Sequence, residues 1–505
     1  MKLKKFISFL LSAILLCSVF SPAVLAVQKN EYPIILVLGR GPNTPYYGDD
    51  GKQIFPIKLS TDELTEKVEE CLPYLAMGLA TGDLKPWAKK VGEVIKPIYA
   101  DMIPGEDGKL NGGPKKLNGY GYPLSPADST SAYDYVFNYD WRRDTAESAA
   151  FLDEYIQQIK EKEKCEKVSI VGRCYGANVI AEYLYDFGHG DIDTAVFYCS
   201  TALGCYASGC IFGGNIKVKP AELETFLENN EIIGDEVITE FIRSTVSFIN
   251  IFSGFDGVTD FVNSFIETVF PVLAPEIFPI SYGSMSCFWN MVDMSHYENA
   301  KKIIYNGQKE KYSDFIEKID RYHYDVMANL PEMLTRYAQE GLNVGVVAKY
   351  GRDALYPIYD NGDPQSDDTV ELSRSSFGAT CSRLGGVLSN EYLSSADMKY
   401  VSSDLCVDSS TALFKDSTWF IKGAEHSDFP YSIDFLITAI CNFDGQLTVS
   451  DSVEYPQFLK YNSETQTLSP LTDKPESRTE GENFMARLLR FIVSFIEIFK
   501  SLFKL

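Results

Sequence analysis

The sequence predicts an α/β protein: a mostly parallel sheet flanked by helices, interrupted by a largely helical lid or cap insertion. Three observations carry that expectation. Apolar runs at 32–38, 168–171 and 343–350 each meet a glycine, and they are close to continuous rather than alternating, as strands buried on both faces are. A segment with apolar residues at helical spacing separates two of these runs, the order of a parallel sheet with crossover helices. From about Cys205 to Leu342 the pattern changes to aromatic-rich sequence, which suits an insertion between two halves of one core.

The chain begins with a basic start (Lys2, Lys4, Lys5), an apolar run from Phe6 to Phe20 and the small-residue end Val24-Leu25-Ala26. That pattern predicts a secretory signal over residues 1–26 and a secreted, extracellular or cell-surface protein. Losing the signal removes three lysines and no acids, so the formal charge moves from −24 to −27. Nucleic acid is excluded as a partner on that account, because phosphate binding needs a basic footprint. Ten cysteines remain, too sparse for a disulfide scaffold, although Cys205 and Cys210 are near enough in sequence to pair. With no C-x-x-C pair and four histidines, neither a metal site nor a cofactor is expected.

The first half of the core is expected over 27–204. It opens with Ile34-Ile35-Leu36-Val37-Leu38-Gly39-Arg40-Gly41, a buried strand feeding a glycine loop. Helical segments near 61–72 and 84–95 and a glycine-rich loop from Gly105 to Gly121 then read as elaboration around a pocket entrance. Tyr133 to Tyr139 forms a strand that runs into Asp140-Trp141-Arg142, a tripeptide whose role we expect to be architectural. Asp144 caps the next helix, Glu147 would complete a capping box, and Phe151, Leu152, Tyr155, Ile156 and Ile159 recur on one face.

That helix leads to Val168-Ser169-Ile170-Val171-Gly172-Arg173-Cys174-Tyr175-Gly176-Ala177-Asn178. Glycines two residues either side of Cys174 permit a sharp strand-to-helix corner that lifts the central side chain above the sheet. Cys174 then stands at a helix start, where unpaired amides and the helix dipole favour thiolate over thiol, with Arg173 beside it. Taken alone, the same five residues also describe a turn around an inert cysteine.

With these residues the chain resembles an α/β-hydrolase of the lipase and lecithin:cholesterol acyltransferase kind, its elbow reading GRCYG where GHSxG is usual. The resemblance implies a nucleophile at Cys174 in place of serine. It also implies an oxyanion hole from the amides of Arg40, after the first strand's glycine, and Tyr175, after the nucleophile. In the same family the triad acid lies in an Asp-Gly-Thr-Val segment. Here Asp367-Asp368-Thr369-Val370 occupies that place, so Asp367 aligns with the acid and Asp368 replaces the glycine; the choice between the two stays open. A histidine after a later strand supplies the base, and Glu425-His426-Ser427-Asp428-Phe429-Pro430 holds the sole histidine downstream of the acid. The order nucleophile, acid, base is that of the fold.

The insertion is expected over 205–342 and the second half of the core over 343–442, beginning with Asn343 to Gly351. In the insertion, Phe241 to Phe270 and Phe278 to Val292 are apolar and aromatic, as lid helices over a lipid-facing pocket would be, and as ordinary core would be too. His296 and His323 lie there without a supporting motif. Residues 443–483 read as a polar linker. Residues 484–505 read as an amphipathic basic helix, suited either to an anionic membrane surface or to the protein's own core.

The function expected is a secreted acyl-ester hydrolase, possibly an acyltransferase, acting on an apolar or lipid ester through a Cys174–His426–Asp367 triad and a thioester intermediate. The alternative is a non-catalytic binding protein on a degenerate hydrolase scaffold.

Overall fold

The computed structural model describes residues 32–40, 61–110, 132–217, 263–352 and 364–475, with the short strands Tyr46–Tyr47 and Gln53–Phe55 and residues 260 and 354. The signal expected at 1–26, the basic helix expected at 484–505 and the 218–259 part of the insertion lie outside the described residues.

Eight strands form one sheet: β1 (Ile34–Val37), β2 (Tyr135–Phe137), β3 (Val168–Arg173), β4 (Ile192–Tyr198), β5 (Asn343–Tyr350), β6 (Thr418–Lys422), β7 (Phe458–Asn462) and β8 (Thr467–Pro470). Their spatial order is β8-β7-β6-β5-β4-β3-β1-β2. Every neighbouring pair is parallel except β7 with β8 at the edge. This is the α/β architecture expected, and it is consistent with the α/β-hydrolase fold.

The continuous apolar strands are explained by burial on both faces. Within β1, Ile35 and Val37 join one core cluster while Ile34 and Leu36 join the other. The first cluster is closed by α1 (Thr145–Glu163), α2 (Gly176–Phe187) and α3 (Leu330–Gln339), through Leu152, Ile156, Ile180, Leu184 and Leu334. The second is closed by α4 (Tyr431–Cys441), whose Ile433, Leu436, Ile437 and Ile440 are buried. Each such side chain contributes about 1.5–3 kcal/mol by leaving water.

Asp144 caps α1 by accepting a hydrogen bond from the Thr145 amide at 2.9 Å. Glu147, however, pairs with Arg143 at 3.0 Å four residues back, so the expected capping box becomes a surface ion pair. Asp140-Trp141-Arg142 is architectural as expected. The Arg142 guanidinium grips the Asp140 carboxylate at 2.8 and 2.7 Å, and both residues are buried.

Residues 443–483, expected as a polar linker, contain β7 and β8 instead. Leu459 and Tyr461 face the core while Lys460 and Asn462 face water. At this margin of the sheet, with β8 at the edge and β7 beside it, a strand buries only one side of its pleat, so its composition is half polar and hides it from an apolar-run criterion. The later half of the insertion also departs from a detached cap. Met285, Cys287 and Met291 belong to the same cluster as the sheet, and α3 packs directly on it.

Candidate active site

Parallel strands deliver their carboxyl ends to one edge of the sheet, where loops from different strands meet. Here β1 ends at Gly39 and Arg40, β3 at Cys174, β5 before the acid loop, and β6 before His426.

The corner after β3 is as tight as its glycines imply. A Cβ on Gly176 would sit 2.2 Å from the Val37 carbonyl oxygen, and one on Gly172 would sit 2.7 Å from Cα of Ala177. Cys174 itself has φ +53°, the left-handed region, which costs an L-residue about 1–2 kcal/mol. Its amide donates to the Tyr198 carbonyl at 2.9 Å, fixing the strained residue to β4. Gly39 lies against it: a Cβ there would approach Cys174 Cβ to 2.8 Å, so the Arg40 loop rests on the elbow.

The geometry brings one of the two adjacent acids to the His426 ring. His426 Nδ1 is 2.7 Å from Asp367 Oδ2, and Asp367 is fully buried. The other carboxylate oxygen accepts from the amides of Thr369 at 3.1 Å and Val370 at 2.7 Å. The His426 amide returns to the Asp367 carbonyl at 2.7 Å. Asp368 instead accepts from Thr369 Oγ1 at 2.6 Å and from the His426 amide at 3.4 Å, and has φ +84°. That is why glycine is usual at its position; aspartate is among the side chains that tolerate such a backbone.

The charges are mutually supporting. Burial alone would push the Cys174 thiol up, but the His426 imidazole, the Tyr175 amide and the Arg40 guanidinium together hold it below its ordinary value. Burial opposes a charged ring at His426, yet Asp367 and Cys174 hold it well above the usual histidine range. Burial also opposes the Asp367 carboxylate, and His426, the Val370 amide and Lys349 more than offset it. Each group therefore favours the charged form of the other, the thiolate at Cys174 and the imidazolium at His426. Nε2 of His426 is buried without a well-formed hydrogen bond, so this pair is held by charge rather than by an aligned hydrogen bond.

Three features escaped the sequence reading. Lys349, a fully buried lysine in β5, donates to the carbonyls of Glu425 at 2.8 Å, His426 at 3.3 Å and Asp428 at 2.5 Å, tying down the loop that carries the base. A lysine inside an otherwise apolar strand was the available signal. Secondly, the Cys199 thiol, an Asp367 oxygen and a His426 nitrogen lie within 4.8 Å of one another, a spacing a soft metal ion could bridge. Thirdly, a separate Asp293–His296–Cys210 chain joins the insertion to itself. His296 Nδ1 is 2.7 Å from Asp293 Oδ2, and its Nε2 is 3.9 Å from Cys210 Sγ. Cys210 is fully buried, whereas Cys174 is partly exposed on a corner, so only the elbow cysteine can meet a substrate in this conformation. Cys205 and Cys210, near enough in sequence to pair, are both free thiols.

No protein-family model matches this chain, and no curated protein matches its sequence. Among solved structures it is similar to the Tle4–Tli4 complex, at 11% identity over 65% of this chain and 77% of the other, with a TM-score of 0.25. So loose a likeness carries no function.

Proposed function

We propose that this protein is an acyl-ester hydrolase that works through a cysteine nucleophile. The observation that carries the reading is the Cys174 thiol on a left-handed elbow, its ionisation favoured by an imidazole that the buried Asp367 holds at 2.7 Å. A binding scaffold has no need of a strained, activated thiol in front of an oriented base.

In this reading the Cys174 thiolate attacks an ester carbonyl, and the backbone amides of Arg40 and Tyr175 take the oxyanion. The His426 imidazolium gives its proton to the departing alkoxide, leaving an acyl thioester on Cys174. The neutral ring next draws a proton from water, or from an alcohol in an acyltransferase, as that oxygen attacks the thioester carbonyl. The thiolate leaves, and Asp367 holds the ring in one tautomer throughout. The substrate would be an apolar or lipid ester met outside the cell, as the signal-like start and the aromatic insertion suggest. The 484–505 segment would contribute membrane-surface contact.

The test is hydrolysis of short- and long-chain esters by the mature chain, with intact-mass detection of an acyl adduct. Asp367→Asn is expected to lower kcat/KM by roughly 100-fold or more, by analogy with loss of a triad acid, and Asp368→Asn by only a few-fold. Turnover equal to the parent in Cys174→Ala would end the proposal in favour of a binding role.

A further inference from the structure

We propose that the Arg40 side chain makes an anion-binding subsite beside Cys174, so that the preferred esters carry a phosphate or carboxylate group a few bonds from the scissile carbonyl. This deepens the hydrolase reading by naming its substrate class, and rests on that reading for substrate turnover alone.

Arg40 follows Gly39, the residue packed against Cys174, and its guanidinium is close enough to help favour ionisation of the thiol. Other arginines of this region are neutralised: Arg142 by Asp140 at 2.7 Å, Arg143 by Glu147 at 3.0 Å and Arg173 by Asp434 at 3.4 Å. Among the described residues no carboxylate pairs with Arg40. Its guanidinium carbon instead lies 4.7 Å from the Phe288 ring and 5.7 Å from the Trp141 ring.

An aromatic face supports a guanidinium from one side but uses none of its five N–H donors, which project from the edge of the plane. The cation is thus oriented by aromatic contacts and left with donors for a bidentate oxyanion such as phosphate or carboxylate. In a chain of formal charge −24, a guanidinium beside the nucleophile that no acid among the described residues neutralises is a site prepared for an anion from outside. The thiolate competes weakly for that charge, because His426 already balances it.

Two readouts separate this proposal from the hydrolase reading. The first compares alkylation of Cys174 by iodoacetate and by iodoacetamide, each rate divided by that of a free low-molecular-weight thiol. The parent is expected to favour the anionic reagent by about 10-fold, a preference that high salt weakens. Arg40→Ala should abolish it and Arg40→Lys retain part of it, both variants being checked for a native thermal transition. The second compares kcat/KM for matched aryl butyrate and hemisuccinate esters, and for dispersed diacylglycerol and phosphatidic acid. Preference for the hemisuccinate alone identifies a carboxylate as the natural group, and preference for phosphatidic acid alone identifies a phosphate. Equal handling of both reagents by the parent, or an unchanged preference in Arg40→Ala, overturns the subsite. Retained iodoacetate preference without ester turnover would leave the subsite standing and remove the hydrolase.

Discussion

Replacing His426 with glutamine tests the charge arrangement directly, because it removes the contribution that opposes burial most strongly at Cys174. With the imidazole gone, burial continues to push the thiol up, and only the Tyr175 amide and Arg40 remain to pull it down. The thiol should then return to its ordinary 9.0 or above. While the thiol titrates above the assay pH, each pK unit by which it rises removes about 10-fold in thiolate, and the greater intrinsic nucleophilicity of the more basic thiolate returns about 3-fold. The net expectation is alkylation slower by about 3-fold at pH 7 for each unit of rise, with parity or a small gain above pH 10. Iodoacetamide labelling across pH 5–10, read at the Cys174 peptide by mass spectrometry, gives both midpoints. Coincident midpoints in parent and variant would show that the imidazole does not hold the thiolate, and the ion-pair reasoning would be wrong.

Gly176→Ala places a Cβ 2.2 Å from the Val37 carbonyl, between two backbones that cannot rotate away, and should cost about 3 kcal/mol or more in urea unfolding. Stability within 1 kcal/mol of the parent would mean the corner is looser than described. Lys349→Met leaves three carbonyls of the His426 loop without their donor, so we expect a loss of about 3 kcal/mol and a fall in kcat larger than any rise in KM. The hydrogen bond from His296 to Asp293, aided by Cys210 against the effect of burial, raises His296 to about 9. Its protonated form therefore stabilises the fold fully below about pH 6.5, and that contribution, about 3 kcal/mol, is lost as pH rises through about 9. Thermal melts should show Tm falling across that window in the parent, and His296→Gln should flatten the slope; an equal slope in both would refute the assignment.

Local pattern settled the parts of this protein that depend on neighbours in the chain. Continuous apolar runs located β1, β3 and β5 because strands covered on both faces leave no polar side to disguise them. The glycines around Cys174 announced the elbow because only they admit the backbone contacts at 2.2 and 2.7 Å. The order of Cys174, Asp367 and His426 was read from the resemblance to the lipases, whose nucleophile, acid and base segments these residues match. Contacts made through space were decided by the tertiary structure alone. Asp367 and Asp368 are adjacent acids in the sequence, and only the folded loop, with one carboxylate at the His426 ring and the other at the Thr369 hydroxyl and the His426 amide, separates them. β7 and β8 stayed hidden because strands at the margin of the sheet need only one apolar face, which a half-polar composition conceals. Lys349 acquires its role only where the His426 loop folds over β5. Arg40 looked like the supplier of one backbone amide. What gives its side chain a role is the pairing of the surrounding arginines with acids while its own guanidinium rests on two rings. Periodicity and glycine placement report how each residue meets its own strand or helix, whereas the charge balance at Cys174 is set by loops that only the closed sheet brings together.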